Sequence, residues 1–266
     1  MGLKDEKYPI LEWSGQQKGI IQPSKLFKNK DIPEVCIFSF FHELKEDLQK
    51  RGIIKKKGRF TTVPGQDRYF YKISSSKKNE NVENIGLIFP GIGGPLAAMD
   101  LECAIARGCK RILVAGSAGA IEPDLDVGQI FLIQSALRDE GTSYHYLKPK
   151  RVIKAHKQFL ERIKEILDLK SINYQLGTTW TTDGLFRETS EKIQKRKLEG
   201  AAIVEMEAAS LMAVAKFRDI PLGHMIYCAD NISGAEWDPR RDLDTPSSRR
   251  SFMDVVIEIG IQLSQS

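Results

Sequence analysis

The chain has 266 residues, 41% hydrophobic and 28% charged, a composition typical of a folded globular domain rather than a disordered chain. Its 40 basic and 35 acidic residues leave a formal net charge of +5, which suits an anionic substrate but does not by itself indicate nucleic-acid binding. No stretch approaches the roughly 18 uncharged apolar residues of a membrane span, and the N-terminus lacks the apolar run of a signal peptide, so we expect neither feature.

The first 34 residues are polar and irregular, and prolines interrupt any helix there. We expect segment 1–34 to pack on one domain formed by residues 35–266. From residue 35, short apolar runs alternate with helical patterns, which predicts a single α/β domain with a largely parallel sheet.

The predicted strands lie at 35–41, 85–89, 111–115, 130–137, 174–180, 201–204 and 222–228, with an edge pair within 53–76. The predicted helices lie at 43–50, 95–107, 155–167, 208–218 and 249–263, and a tight turn is expected at 116–120.

The cysteines and histidines show neither a disulfide nor a metal pattern. The four cysteines are widely spaced and form no C-x-x-C pair, which predicts reduced, buried thiols in a cytoplasmic protein. The four histidines lack the spacing of zinc ligands, so we expect no metal ion.

Four predicted strand ends carry residues suited to ligand binding. Glycines follow two of them, at 91–94 and 116–119, and carboxylates follow the others, at 205–207 and Asp230. Ligands of open α/β sheets collect beyond the carboxyl ends of the strands. Glycine lets backbone amides approach an anion or a sugar, and carboxylates bind hydroxyls or transfer a proton. Each motif alone is weak, because 91–94 is no dinucleotide fingerprint and acids are common at helix N-termini.

Together, in this order, these motifs resemble the nucleoside phosphorylase family, which contains purine nucleoside phosphorylase, uridine phosphorylase and the nucleosidases. The resemblance runs from about residue 85 to 230, and its most specific part is Val204-Glu205-Met206-Glu207-Ala208 with Asp230 at the next strand end. The remaining pieces are Gly91-Ile92-Gly93-Gly94-Pro95, Gly116-Ser117-Ala118-Gly119-Ala120, Arg138-Asp139-Glu140-Gly141-Thr142-Ser143 and Thr182-Asp183-Gly184-Leu185-Phe186. The resemblance implies a three-layer α/β/α phosphorylase-type fold with a mixed, largely parallel central sheet.

The resemblance also implies roles for the matching residues. Glu207 is expected to bind the ribose hydroxyls, a charge-assisted contact, with Met206 and Ser117 facing the sugar. Asp230 is the expected catalytic acid, which protonates or hydrogen-bonds a purine leaving group. The expected base-binding residues are Phe186, which stacks on the base, and Val204.

The family's phosphate site is not matched. Family phosphorylases have a Gly-Asp-Pro-x-Arg turn where this chain has Ser39-Phe40-Phe41-His42-Glu43, and an arginine where this chain has Val114. The resemblance implies that Arg59 or Arg68 replaces the missing cations, since a neighbouring subunit often contributes such a residue in this family. The expected phosphate ligands are Gly93, Gly94, Ser117, Arg59 and Arg68.

The base stays open at this point. Asp230 favours a purine or a nucleosidase-type substrate, whereas the segment 138–146 is similar to the uridine-type branch. The Gln-x-Arg of that branch is absent after Phe186.

The sequence thus predicts cleavage of the N-glycosidic bond of a nucleoside. We expect phosphorolysis to free base and ribose 1-phosphate, because most of the family uses phosphate. Hydrolysis by a nucleosidase is the alternative that the missing arginine supports, and a nucleoside-binding or storage protein without turnover is a third. No cofactor is expected beyond phosphate as co-substrate. The expected partners are the nucleoside, phosphate and copies of the same chain in a homo-oligomer (a dimer or a trimer of dimers), with no nucleic acid and no membrane.

Overall fold

A computed structural model describes residues 6–16, 18–60, 68–74 and 85–265 of the chain. These residues contain ten strands and eight α-helices. The strands are β1 (Val35–Ser39), β2 (Ile54–Arg59), β3 (Tyr69–Ile73), β4 (Ile85–Ile88), β5 (Arg111–Ala120), β6 (Ile130–Asp139), β7 (Val152–Lys154), β8 (Gln175–Thr182), β9 (Ala201–Glu205) and β10 (Leu222–Asn231). The helices are α1 (Pro23–Leu26), α2 (Lys45–Lys50), α3 (Gly94–Ala106), α4 (Ser143–Tyr146), α5 (Lys157–Leu169), α6 (Ser190–Leu198), α7 (Ala208–Phe217) and α8 (Pro246–Ser264).

All ten strands join one mixed sheet in the order β10-β6-β8-β9-β5-β1-β4-β3-β2, with β7 beside β6. The central strands β4, β1, β5 and β10 run parallel, whereas β3 and β2 continue the sheet antiparallel to its edge. β10 also pairs with β5, so β5, β9, β8, β6 and β10 close into a ring. The predicted mixed sheet and the edge pair are confirmed, and the connection between β2 and β3 at 61–67 lies outside the described residues, as does 75–84.

Side chains that alternate along the central strands pack on opposite faces of the sheet. Ile112 and Val114 of β5 join an apolar cluster with α3 and α7. Leu113 and Ala115 join a second cluster with α5 and α8. Burial on both faces explains the continuous apolar runs in these strands, and it gives the predicted three layers.

Helix ends follow local sequence signals. Proline occupies the first turn of α3, and Gly108 just after that helix has φ +116°, a conformation that favours glycine. The Thr245 side chain accepts a hydrogen bond from the amide of Ser248 and caps α8. Residues 6–34 carry one 3-10 turn, Pro9–Leu11, and α1, which contacts α3. The predicted domain boundary at residue 34 stays a prediction.

The expected turn at 116–120 is wrong. β5 continues through Ala120, because β10 and β9 supply hydrogen-bonding partners on both of its sides. The glycines there make room for neighbouring side chains, since a β-carbon on Gly119 would lie 3.3 Å from Asp230 Oδ1. Four of the strands and α-helices were not predicted: the short helices α1 and α4, the short strand β7 and the polar helix α6. The expectation that prolines interrupt any helix in the first 34 residues is wrong at α1, because Pro23 occupies its first turn, where the missing N–H is no loss. No helix within the described ranges combines the length and apolar character needed to cross a bilayer.

Candidate active site

A cavity of about 250 Å³ lies where β1, β5, β9 and β10 end or pass each other. Five of the predicted site residues line it: Ser117, Val204, Met206, Glu207 and Asp230. Strand ends distant in sequence meet here because the parallel strands β1, β5 and β10 present their carboxyl ends at one edge of the sheet. The structure therefore brings together the predicted sugar-binding residues and the predicted acid.

Two glutamates at the junction of β9 and α7 have different surroundings. The carboxylate of Glu205 accepts hydrogen bonds from Thr181 Oγ1 at 2.6 Å and from the amides of Glu207 and Ala208 at 2.7 and 2.6 Å. Burial raises the pKa of Glu205, and these donors oppose the rise. Glu205 therefore fixes the turn from strand into helix, and leaves Glu207 to face the cavity.

Glu207 is 9% exposed and is held by the glycine-rich turn. The amide of Gly93 donates to Glu207 Oε1 at 2.6 Å. Burial, with the neighbouring charge of Glu205, raises the pKa of Glu207 to about 8. A positive charge on a bound sugar would favour the ionised form of this carboxyl, so Glu207 suits a sugar that becomes cationic during reaction.

Asp230 is hydrogen-bonded to a tryptophan of the segment that follows β10. Trp237 Nε1 donates to Asp230 Oδ2 at 2.6 Å. Arg240, by contrast, donates to the carbonyl of Leu125 at 2.6 Å. The Trp237 bond fixes one carboxylate oxygen and leaves the other for a ligand at this end of the cavity.

Sequence reasoning missed Glu188, which lines the cavity near Asp230. Burial and the charge of Asp230 raise the pKa of Glu188 to about 7. A carboxyl with such a pKa holds a proton at neutral pH in an appreciable fraction of molecules, as a general acid requires. A single glutamate in a polar loop gives no local sequence signal, so only the fold could identify it.

Phe186 lies outside the cavity, with its side chain 96% exposed. Its neighbours Leu185 and Glu188 do line the cavity. Stacking of Phe186 on the base therefore requires movement of the segment around Leu185–Arg187, and the assignment stays a prediction.

The predicted phosphate ligands are mostly elsewhere. Ser117 lines the cavity, whereas the other four are absent from its lining. The amide of Gly93 is bound to Glu207, and Gly94 packs against Ser210. Arg68 Nη2 pairs with Asp100 Oδ1 at 2.8 Å, and the Asp100 carboxylate also accepts from the amide of Gly91 at 2.8 Å. Arg68 thus holds the glycine-rich turn in place through Asp100, outside the cavity lining. Arg59 is exposed.

The ionisable groups of the cavity lining are nearly all acidic. Four carboxyl groups line it, and no lysine or arginine does among the described residues. The carboxyl residues are Glu188, Glu205, Glu207 and Asp230. No cluster of three histidine, cysteine or carboxylate side chains fit to hold a metal ion occurs in the described ranges.

The family model, the relatives in sequence and the similar solved structures all point to one family. The model of the Phosphorylase superfamily matches residues 41–259. A uridine phosphorylase of Thermococcus kodakarensis is 30% identical over 102 residues, which span 38% of this chain and 37% of that protein. Among solved structures, a purine nucleoside phosphorylase from Toxoplasma gondii superposes with a TM-score of 0.74 at 14% identity, covering 89% of this chain and 93% of the other. An AMP nucleosidase from Bacteroides thetaiotaomicron superposes with a TM-score of 0.68 at 19% identity, covering 88% and 90%.

Proposed function

The chain belongs to the phosphorylase superfamily, and from this premise we propose that it cleaves the N-glycosidic bond of a nucleoside. The observation that carries the proposal is the pairing of a sugar-side carboxyl, Glu207, with two carboxyl groups, Asp230 and Glu188, in one cavity. A binding or storage protein has no chemical use for acids at the base end, which argues against that alternative.

The arrangement matches the charges that the reaction creates. Breaking the bond leaves positive charge on the ribose and negative charge on the base. Glu207, buried beside the sugar position, stabilises the positive charge once it is ionised, because electrostatic interactions are stronger away from water. Asp230 and Glu188 supply a hydrogen bond or a proton to the leaving base.

The lining favours water as the nucleophile. Phosphate carries one to two negative charges near neutral pH, and its sites are normally built from arginine or lysine with backbone amides. The described lining offers four carboxyl groups and no such cation. Water needs no cation, so the cavity of this single chain fits hydrolysis better than phosphorolysis.

Phosphorolysis is the second candidate, and the named phosphorylases among the relatives favour it. It would require a cation from outside the described lining, such as the exposed Arg59 of a neighbouring copy; Arg68 is less suited, because it is paired with Asp100 of its own chain. Exposed apolar side chains beside the cavity support such a copy: Ile92, 63% exposed, lines the cavity, and Phe186, 96% exposed, follows the lining residue Leu185. Exposed apolar surface beside a site is typical of interfaces, so we propose a homo-oligomer. All four cysteines are buried free thiols, which supports a reducing compartment such as the cytoplasm.

The test is a panel of purine and pyrimidine nucleosides assayed for base release, with and without phosphate. Free ribose formed at the same rate in phosphate-free buffer supports hydrolysis. Ribose 1-phosphate formed in proportion to base, only with phosphate, would establish phosphorolysis. Tight nucleoside binding without base release would refute the enzymatic function altogether.

A further inference from the structure

His224 is a buried polar residue for which the reaction outlined above has no use. It lies on β10, is 1% exposed, and neither of its ring nitrogens has a hydrogen-bond partner among the described residues. An unpaired buried donor or acceptor destabilises the folded state, because it has lost its hydrogen bonds to water. His224 also lines the candidate active site, so a bound molecule there is the natural partner for the ring.

The position of His224 in the sheet places it at the inner end of the cavity. It stands beside Val114 of β5, whereas Asp230, at the other end of β10, stands beside Gly119. A bulge between Cys228 and Asp230 leaves the two positions five residues of β5 apart, about 17 Å, so the histidine and the acid mark opposite ends. Glu207 and Met206 also line the cavity. A molecule bound at His224 would therefore approach a sugar from the side away from the leaving base.

The charge state of the His224 imidazole favours a neutral ligand. Burial lowers the pKa of His224 to about 3, so the imidazole is neutral at physiological pH. It then offers one N–H donor and one acceptor nitrogen. Water supplies the complement of both, and a cavity of about 250 Å³ has room for it beside a ligand.

We propose that His224 binds and orients the nucleophilic water at the inner end of the cavity. The proposal rests on the glycosidic cleavage proposed above and adds the group that acts on the nucleophile. The apolar side chain of Val114, the neighbour of His224 on β5, also lines this end of the cavity, and it neither donates nor accepts a hydrogen bond.

The water oxygen forms a bond to C1′ of the sugar while the C1′–N bond breaks, and the electron pair of that bond leaves with the base. The acceptor nitrogen of His224 accepts a hydrogen bond from the water and stays neutral, because burial disfavours the imidazolium. The proton that the water loses passes to the carboxylate of Glu207, which lines the same cavity, and a carboxylic acid at Asp230 or Glu188 gives a proton to the base. Transfer of the proton from Glu207 to the Asp230 or Glu188 carboxylate through solvent restores the enzyme, so the net change is nucleoside plus water to sugar plus base.

The experiment compares three variants of the full chain in phosphate-free buffer. His224→Phe removes both nitrogens and keeps a ring, and His224→Gln restores one donor and one acceptor. The control is Met225→Leu, the next residue of β10, which is 0% exposed and packs in the cluster on the opposite face of the sheet. We measure kcat and KM for base release, the sugar product and the Tm.

We expect His224→Phe to lower kcat about 10²-fold, because the water is no longer held in place, with the KM for nucleoside within about threefold of the wild type and an equal or higher Tm, because an unpaired buried polar group is gone. His224→Gln should recover at least tenfold in kcat over His224→Phe, and Met225→Leu should retain the wild-type kcat. The rise or constancy of Tm distinguishes this role from a structural one.

A folded His224→Phe variant with the kcat of Met225→Leu would overturn the role of His224 and leave the glycosidic activity standing. Base release that depends on phosphate in the wild type would overturn the water proposal in the same way. If the wild type releases no base from any nucleoside, the proposed function itself fails. If neither His224 variant folds, His224 is a structural residue and the proposal is wrong.

Discussion

Replacing Glu207 with glutamine should remove a pH-dependent loss of stability. Burial and the charge of Glu205 raise the pKa of Glu207 from an ordinary value of 4.5 to about 8. Between these values the native state keeps a proton that the unfolded chain releases. The native state therefore binds more protons, and the free energy of unfolding falls as the pH rises from 4.5 to about 8.

The size of the effect follows from that interval. Retaining one proton across one pH unit changes the free energy of unfolding by about 1.4 kcal/mol. For Glu207 the whole interval amounts to about 3–5 kcal/mol of stability that the wild type loses on going to alkaline pH. Glutamine keeps the side-chain shape and an oxygen to accept from the amide of Gly93, but it has no charge to bury. Glu207→Gln should match the wild type at about pH 5 and exceed its stability by about 3–5 kcal/mol at about pH 9.

Urea unfolding followed by circular dichroism at several pH values provides the measurement. Glu191→Gln is the matched control, because Glu191 is an exposed carboxylate on α6 that does not line the cavity. That variant should show no stability difference that grows with pH. A constant difference between Glu207→Gln and the wild type across the whole range would refute the account of Glu207 as a buried, protonated carboxyl.

Three further changes test the cavity, with base release as the assay and Tm as the check on folding. Asp230→Asn should lower turnover about 10²–10⁴-fold, since the amide cannot donate the acid's proton; activity near that of the wild type would remove Asp230 as the acid. Trp237→Phe deletes the 2.6 Å bond to Asp230 and should lower kcat about tenfold with Tm unchanged, because the ring is 60% exposed; an unchanged kcat would show that this bond does not orient the carboxyl. Gly119→Val would place a β-carbon 3.3 Å from Asp230 and 3.4 Å from Val204, so KM should rise at least tenfold if the base occupies this end, and an unaltered KM would locate the base elsewhere.

The sequence by itself determined most of the strands and long helices and most of the residues at their ends. Apolar runs that are buried on both faces predict the central strands regardless of their partners, and proline and glycine mark the ends of α3 through local backbone geometry. The segment 204–208 and Asp230 follow predicted strands, so the carboxyl-end rule places them at one edge without knowledge of the register. These features depend on neighbours in sequence or on a general property of parallel sheets.

Only the tertiary structure decided which side chains share the cavity. Pairing of β8 with β9 sets Thr181 beside Glu205, which occupies that glutamate and turns Glu207 toward the sugar position. Pairing of β5 with β10 extends residues 116–120 as strand and sets His224 beside Val114. No local sequence pattern identifies Glu188 or His224 as site residues. Their burial, the raised pKa of Glu188 and the lowered pKa of His224 arise from residues distant in sequence. Long-range contacts, not local preference, create both the raised pKa of Glu188 and the unpaired ring of His224.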